Sequence, residues 1–167
     1  MIANVRSIFR NGFYAGVLTA IILGLYLFQL WQPEKQIRLH TMHLISALEE
    51  KDWPDVILFI DPVYADDWGN DRKLLVARLQ QVLPYARNLR IKTRRAWVRA
   101  SKADGTWTAW ITIEADPNEI SEMIKERVNR LDEPFELAWR RGSGKPWDWK
   151  LVRVSNPALE LSPGEGF

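Results

Sequence analysis

Tyr64, Asp66 and Asp67 lie within four residues of one another, and His40 and His43 lie three apart. These types and spacings are the ones in the chain that can move protons or hold a metal. A carboxylate acts as a general base when it sits in an apolar pocket facing a hydrogen-bond donor. Tyr64, Asp66 and His43 are therefore the candidates for the mouth of a pocket. The competing reading of Asp66-Asp67-Trp68-Gly69-Asn70 is a turn, because Asp and Asn side chains bond their own backbone two residues on. That reading carries more weight, and no catalytic residue is assigned. His40 and His43 share a helix face, but no third ligand falls at useful spacing, so no metal site and no cofactor are expected. The chain has no cysteine, which removes thiol nucleophiles, thiolate metal sites and disulfides together.

A second pattern suits binding. Arg87, Arg90, Lys92, Arg94, Arg95, Arg99 and Lys102 follow one another with no intervening acid, and Trp97 lies among them. With Trp110 on the next strand, Arg90, Lys92, Arg94, Arg95, Trp97 and Arg99 form a candidate partner surface. Such a stretch can meet an acidic partner, a lipid headgroup or nucleic acid. The bland alternative is the solvated face of a strand, offset by Glu49, Glu50, Asp52, Asp55, Asp61, Asp66, Asp67 and Asp71 elsewhere. Lys and Arg total 23 against 21 Asp and Glu. Arg6 and Arg10 are the only charges before Glu34, so the remainder carries 21 of each sign. A neutral, dipolar domain suits protein docking, and no nucleic-acid partner is expected.

The elements that position these residues begin with an anchor. Residues 12–31 carry no charge, and twenty residues at about 1.5 Å each span about 30 Å, a bilayer core. Tyr14 and Trp31 near its ends fit interfacial aromatic positions, and Pro33 stops it. A cleaved signal peptide would have a shorter apolar region and a small-residue cleavage site, so an uncleaved transmembrane helix is expected. Gly12, Gly16, Ala20 and Gly24 recur every four residues. They make either a helix-packing stripe or the ordinary glycine content of a membrane helix. Arg6 and Arg10 on one side are nearly balanced by Lys35 and Arg38 on the other. The short N-terminal side favours an extracytoplasmic, periplasmic domain.

Behind the anchor, apolar spacing predicts a helix over 34–51. A short helix follows from Trp53-Pro54, and a third runs over 71–84 from a cap at Asn70 or Asp71. The period then falls to two. Leu89 and Ile91 alternate on one parity and Ala96, Val98 and Ala100 on the other, which predicts a bulge near residues 93–95. Asp104-Gly105 reads as a hairpin turn. The strand after it puts Trp107, Ala109, Ile111 and Ile113 on one face. Asp116, Pro117 and Glu119 predict a helix start. Two strands close the domain, one with Phe135, Leu137 and Trp139 inward and one with Trp147, Trp149 and Leu151 inward. No acid occupies these inward positions. The organisation read from this is a tail at 1–11, a transmembrane helix at 12–31, an α+β domain at 34–156 and a flexible tail at 157–167.

Three stretches carry a family resemblance: 44–60 with ALEEKDWPDVILFI, Tyr64-Ala65-Asp66-Asp67-Trp68, and 135–154 with FELAWRR, a glycine turn and WDWKLVRV. Over residues 36–156 the chain resembles the nuclear transport factor 2-like superfamily, which includes ketosteroid isomerase. The resemblance implies a curved antiparallel sheet packed against helices as a cone with a pocket between them. The superfamily holds isomerases, dehydratases and hydrolases as well as non-catalytic binding and assembly domains. The expectation is a single-pass, membrane-anchored, non-catalytic binding or assembly domain. Its partners would be the membrane and either a second copy of the chain or another membrane protein. The alternative is a pocket enzyme or carrier of a small-molecule ligand.

Overall fold

The chain starts with helix α1 (Ala3–Leu30). In it Gly12–Leu30 is an apolar run of 19 residues with mean hydropathy 1.9 and no buried position, long enough to cross a membrane. The structure is a computed structural model that describes residues 3–159, with side chains from Gly12 onward. The last eight residues of the expected C-terminal tail lie outside the described residues.

Helix α2 (Pro33–Glu50) follows after Trp31 and an extended Gln32, with Pro33 at its first position. Proline has no N–H to leave unpaired there. The joint is braced. The Gln36 side chain, buried, donates to the Leu30 carbonyl at 2.8 Å, closing the end of α1. The Lys35 ammonium lies 5.9 Å from the Tyr26 ring, and the Trp31 ring lies 6.3 Å from that of Trp147. Lys51 ends α2 in the left-handed conformation (φ 59°), and α3 (Trp53–Phe59) starts at once under an Asp52 cap. Asp71, whose carboxylate accepts from the Leu74 N–H at 2.7 Å, caps α4 (Arg72–Val82). A single 3-10 turn, Leu83–Tyr85, closes it.

Strands β1 (Arg90–Ala100), β2 (Asp104–Glu114), β3 (Phe135–Arg141) and β4 (Trp149–Ser155) pair in that order, every pair antiparallel. Helix α5 (Glu119–Asn129) sits between β2 and β3 in sequence. The core joins Ile37, Leu44 and Val56 from the helices to Trp107, Trp139, Trp149 and Leu151 from the sheet. α2 runs along the sheet. Ile37 lies at Gly105, where an added Cβ would overlap Ile37 Cδ1 and come within 2.9 Å of the Arg99 carbonyl oxygen. Twelve residues later, the Glu49 carboxylate accepts from the Ile91 N–H at 2.6 Å. The Gly105 end of the sheet is thus the end near the anchor, and the Ile91 end is about 18 Å further out.

The α+β class stands, but the curved, cone-shaped sheet does not. The four strands form an open meander that neither curls nor closes into a cone, with β1 and β4 as separate edges. Curling needs bulges repeated at matched positions in successive strands. Here the register shifts once in β1–β2, between Arg94 and Trp97, and once in β3–β4, at Ala138 and Trp139, with β2–β3 continuous between them. The edge of β4 is covered instead by chain from residues 60–65. Asp61 and Ala65 donate their N–H groups to the Leu151 and Val152 carbonyls at 2.9 and 3.2 Å.

The β1–β2 shift falls where the alternation of parity predicts it, with Arg95 at φ 50°. The hairpin turn does not. Gly105 is already paired with Ala100, and the reversal is made by residues 101–104, closed by Ser101 N–H to the Asp104 carbonyl at 2.7 Å. The start of α5 also moves. Asn118 and Ser121 form the reciprocal capping box, at 2.9 Å in both directions. Asp116, held extended before Pro117, accepts from the Asn88 side chain instead. Trp147 lies outside β4, in the loop before it, and is 51% exposed.

Candidate functional site

The helices and the inner face of the sheet enclose an apolar cavity of about 250 Å³, lined among others by Leu44, Leu48, Trp107, Ile111, Leu137 and Val154. Each strand sends alternate residues into it, as period-two patterning requires. One corner is polar. It is made by the turn after α3, where Tyr64, Asp66, Trp68 and Asn70 all reach the cavity wall.

In that corner Asp66 is an acceptor four times over. Its carboxylate takes the Tyr64 hydroxyl at 3.2 Å and the Asn70 side-chain amide at 2.8 Å on one oxygen. The other takes the Trp68 and Asn70 N–H groups at 3.0 and 2.8 Å. The acid therefore builds the turn, and its oxygens are saturated by its own neighbours. Tyr64 is 2% exposed, and its phenol is pushed far above the usual tyrosine range by burial, with the Asp66 charge and hydrogen bond adding to it. It remains a donor. Asn70 gives its backbone N–H and its side-chain amide to Asp66, and its buried Oδ1 has no partner among the described residues. An unpaired buried acceptor is costly, and Asn70 is among the residues lining the cavity. The turn chemistry of Asp66 and Asn70 is visible in their residue types. The position of Asn70 against the cavity follows from tertiary packing, and no sequence signal marks it.

The structure does not bring His43 to this corner. It is exposed on α2, with its ring 6.4 Å from that of Phe59. His40 is half-buried between Phe59 and Trp139, at ring distances of 5.7 and 6.1 Å, with Nδ1 2.8 Å from the Gln36 carbonyl oxygen. Burial lowers its pKa below 6.5, partly offset by the Gln36 and Trp147 backbone. Gly12, Gly16, Ala20 and Gly24 lie open along α1, and added Cβ atoms at the three glycines would meet nothing within 4 Å.

The basic strand is the second feature. Cross-strand register places Arg90, Lys92, Arg94, Trp97 and Arg99 of β1 on the sheet face turned away from α2, with Trp110 of β2 opposite Arg94. Arg95 occupies the bulge, 5.8 Å from the Trp110 ring. Trp110 is held by its own indole N–H to the Asp132 carbonyl at 3.0 Å, and Trp97 leans on it at 5.7 Å. Arg90 is paired with Glu49 and Lys92 with Glu114, at 3.2 and 2.6 Å. Arg94 and Arg99 have no acidic partner among the described residues. One row continues across the whole sheet: Arg99, Thr106, Ala138, Arg153. It crosses an open trough of about 670 Å³, with the small residues as floor and arginines at both rims. Arg140 at its end pairs with Asp104 at 3.3 Å, and Arg153 reaches Asp67 at 3.8 Å.

No protein-family model matches the sequence, and no curated protein matches it. Solved structures do match. A nuclear transport factor 2-like protein of unknown function from Pseudomonas putida KT2440 is 11% identical, with a TM-score of 0.57 over 80% of this chain and 96% of its own. A nuclear transport factor 2-like protein from Cytophaga hutchinsonii is 14% identical, with a TM-score of 0.53 over 74% and 95%. Bd1075 of Bdellovibrio bacteriovorus is 9% identical, with a TM-score of 0.58 over 77% of this chain. This chain spans only 41% of that protein. Likeness at such identities is likeness of fold. The chain is a membrane-associated domain of the nuclear transport factor 2-like fold behind one apolar helix long enough to span a bilayer.

Proposed function

We propose that this chain is a membrane-tethered, non-catalytic binding domain that holds an acidic partner segment on the outer face of its sheet. The observation that carries the reading is the row Arg99–Thr106–Ala138–Arg153, a trough with a cation at each rim, next to the unpaired Arg94. Complementary charge gives such a face selectivity and a fast, salt-dependent encounter. The saturated Asp66 favours a binding role over acid–base chemistry, because no oxygen of it is free to take a substrate proton. Arg6 and Arg10 before the span support an extracytoplasmic domain.

The test is a photo-crosslinking amino acid at Trp110, in the trough's neighbourhood, carried by the full-length chain in its own membrane. A discrete adduct is expected, with an acidic protein or a second copy of the chain. Arg94→Glu with Arg99→Glu should reduce it about tenfold or more at low salt. An adduct of unchanged yield in the double variant removes this surface from consideration.

A second reading rests on a different observation, the unpartnered Asn70 Oδ1 at the corner of the cavity. It would suit a small apolar ligand with one hydrogen-bond donor. The cavity lies below the roughly 300–1,000 Å³ of drug-sized pockets, which ranks this reading second. Native mass spectrometry of the detergent-released chain separates the two, since a retained small molecule supports the carrier reading.

A further inference from the structure

The end of the domain nearest the anchor presents two loops side by side. Residues 101–103 join β1 to β2, and residues 142–148 join β3 to β4. They are tied by the Arg141 N–H to the Ala103 carbonyl at 2.7 Å. The second loop carries Lys145 and Trp147, the first Lys102, and all three side chains are exposed. Trp147 is 51% exposed, although most of the chain's other tryptophans are drawn into the fold. Its ring lies 6.3 Å from Trp31, itself 43% exposed. Trp31 directly follows the apolar run that ends at Leu30, so the span's own length puts it at the boundary between hydrocarbon and headgroups. Tyr26, one turn deeper, carries the Lys35 ammonium over its ring at 5.9 Å, the posture of a cation reaching back toward headgroups.

From this continuity we infer that the loop 142–148 is a second membrane contact. Trp147 enters the headgroup layer beside Trp31, with Lys35, Lys102 and Lys145 around it toward lipid phosphates. Among the acids at this end, Glu34 is exposed beside Lys35, and two lie against protein. Asp104 pairs with Arg140 at 3.3 Å, and the Asp148 carboxylate is folded against Gly142. An amphipathic ring with an exposed apolar face and an indole N–H is suited to that layer. The inference rests on α1 spanning the bilayer.

The chain has no cysteine, so single labels can be placed cleanly. Gly144 is a suitable site, since a Cβ there meets nothing within 4 Å. The full chain with Gly144→Cys carries an environment-sensitive fluorophore and is reconstituted in vesicles of phosphatidylcholine and phosphatidylglycerol doped with nitroxide lipid. Ile22→Cys reports the span. Met123→Cys, exposed on α5 at the outer end, reports solvent. The expected result is quenching at 144 by headgroup-proximal nitroxide, none at 123, loss of the signal at 144 on adding Trp147→Ser, and its retention with Trp147→Phe. An unquenched 144 beside a quenched 22 overturns the loop contact alone, as does quenching that survives Trp147→Ser. An unquenched 22 overturns the span, and the inference falls with it.

Discussion

At the scale of single residues, Asp66 decides how the corner of the cavity is read. A carboxylate beside a tyrosine in an apolar wall has the composition of an acid–base site, yet every contact it makes is to its own turn. Asp66→Ala would strand the Tyr64 hydroxyl and the Asn70 amide in buried positions. The expected loss of stability is about 3 kcal/mol by urea denaturation, with Asp66→Asn milder because one acceptor oxygen remains. His40 gives a pH signature. Its folded pKa is lowered from 6.5 by burial, so the unfolded chain takes up the proton first as pH falls. The stability it contributes is complete above 6.5 and is lost as pH drops from there toward the lower folded value. The urea midpoint should fall on going from pH 7.5 to pH 5.5, and His40→Gln should flatten that part of the profile. An equal slope in the variant would place the dependence on other groups.

Among elements, the joins matter more than the interiors. Helix and strand identities follow from apolar period, and the bulge in β1 was legible because Ile91 and Val98 cannot face one core without a change of parity. What stayed hidden depends on partners distant in sequence. Asp-Gly at 104–105 is a turn signal, but the glycine is needed for the approach of Ile37 of α2 and so sits in the strand. Gly105→Ala should therefore cost about 2 kcal/mol or more through overpacking, with a lowered melting temperature as the readout. Trp147 continues the alternation of Trp149 and Leu151, yet it falls in the loop beside Trp31, a neighbour more than a hundred residues away. The cone is what the family resemblance implies. Curvature belongs to successive strand pairs, and only a single irregularity occurs in each of two.

For the molecule as a whole, the sequence showed the span, the α+β class and the basic stretch. It did not show which cations are spent within the fold. Arg90 and Lys92 are matched by Glu49 and Glu114, which leaves Arg87, Arg94, Arg95, Arg99 and Lys102 of the seven-cation run, and of these Arg94 and Arg99 share the outer sheet face with the cross-sheet row. The clamped joint between α1 and α2 then has a geometric consequence. A domain on a slack linker sweeps a hemisphere and can meet partners at many heights. On the proposed reading, a domain on a short, stiff stalk would sweep a ring at one height and hold its trough in a thin layer just above the lipid. Lengthening the stalk would change which molecules it meets without altering a single contact residue, because height above the bilayer acts as a filter of its own.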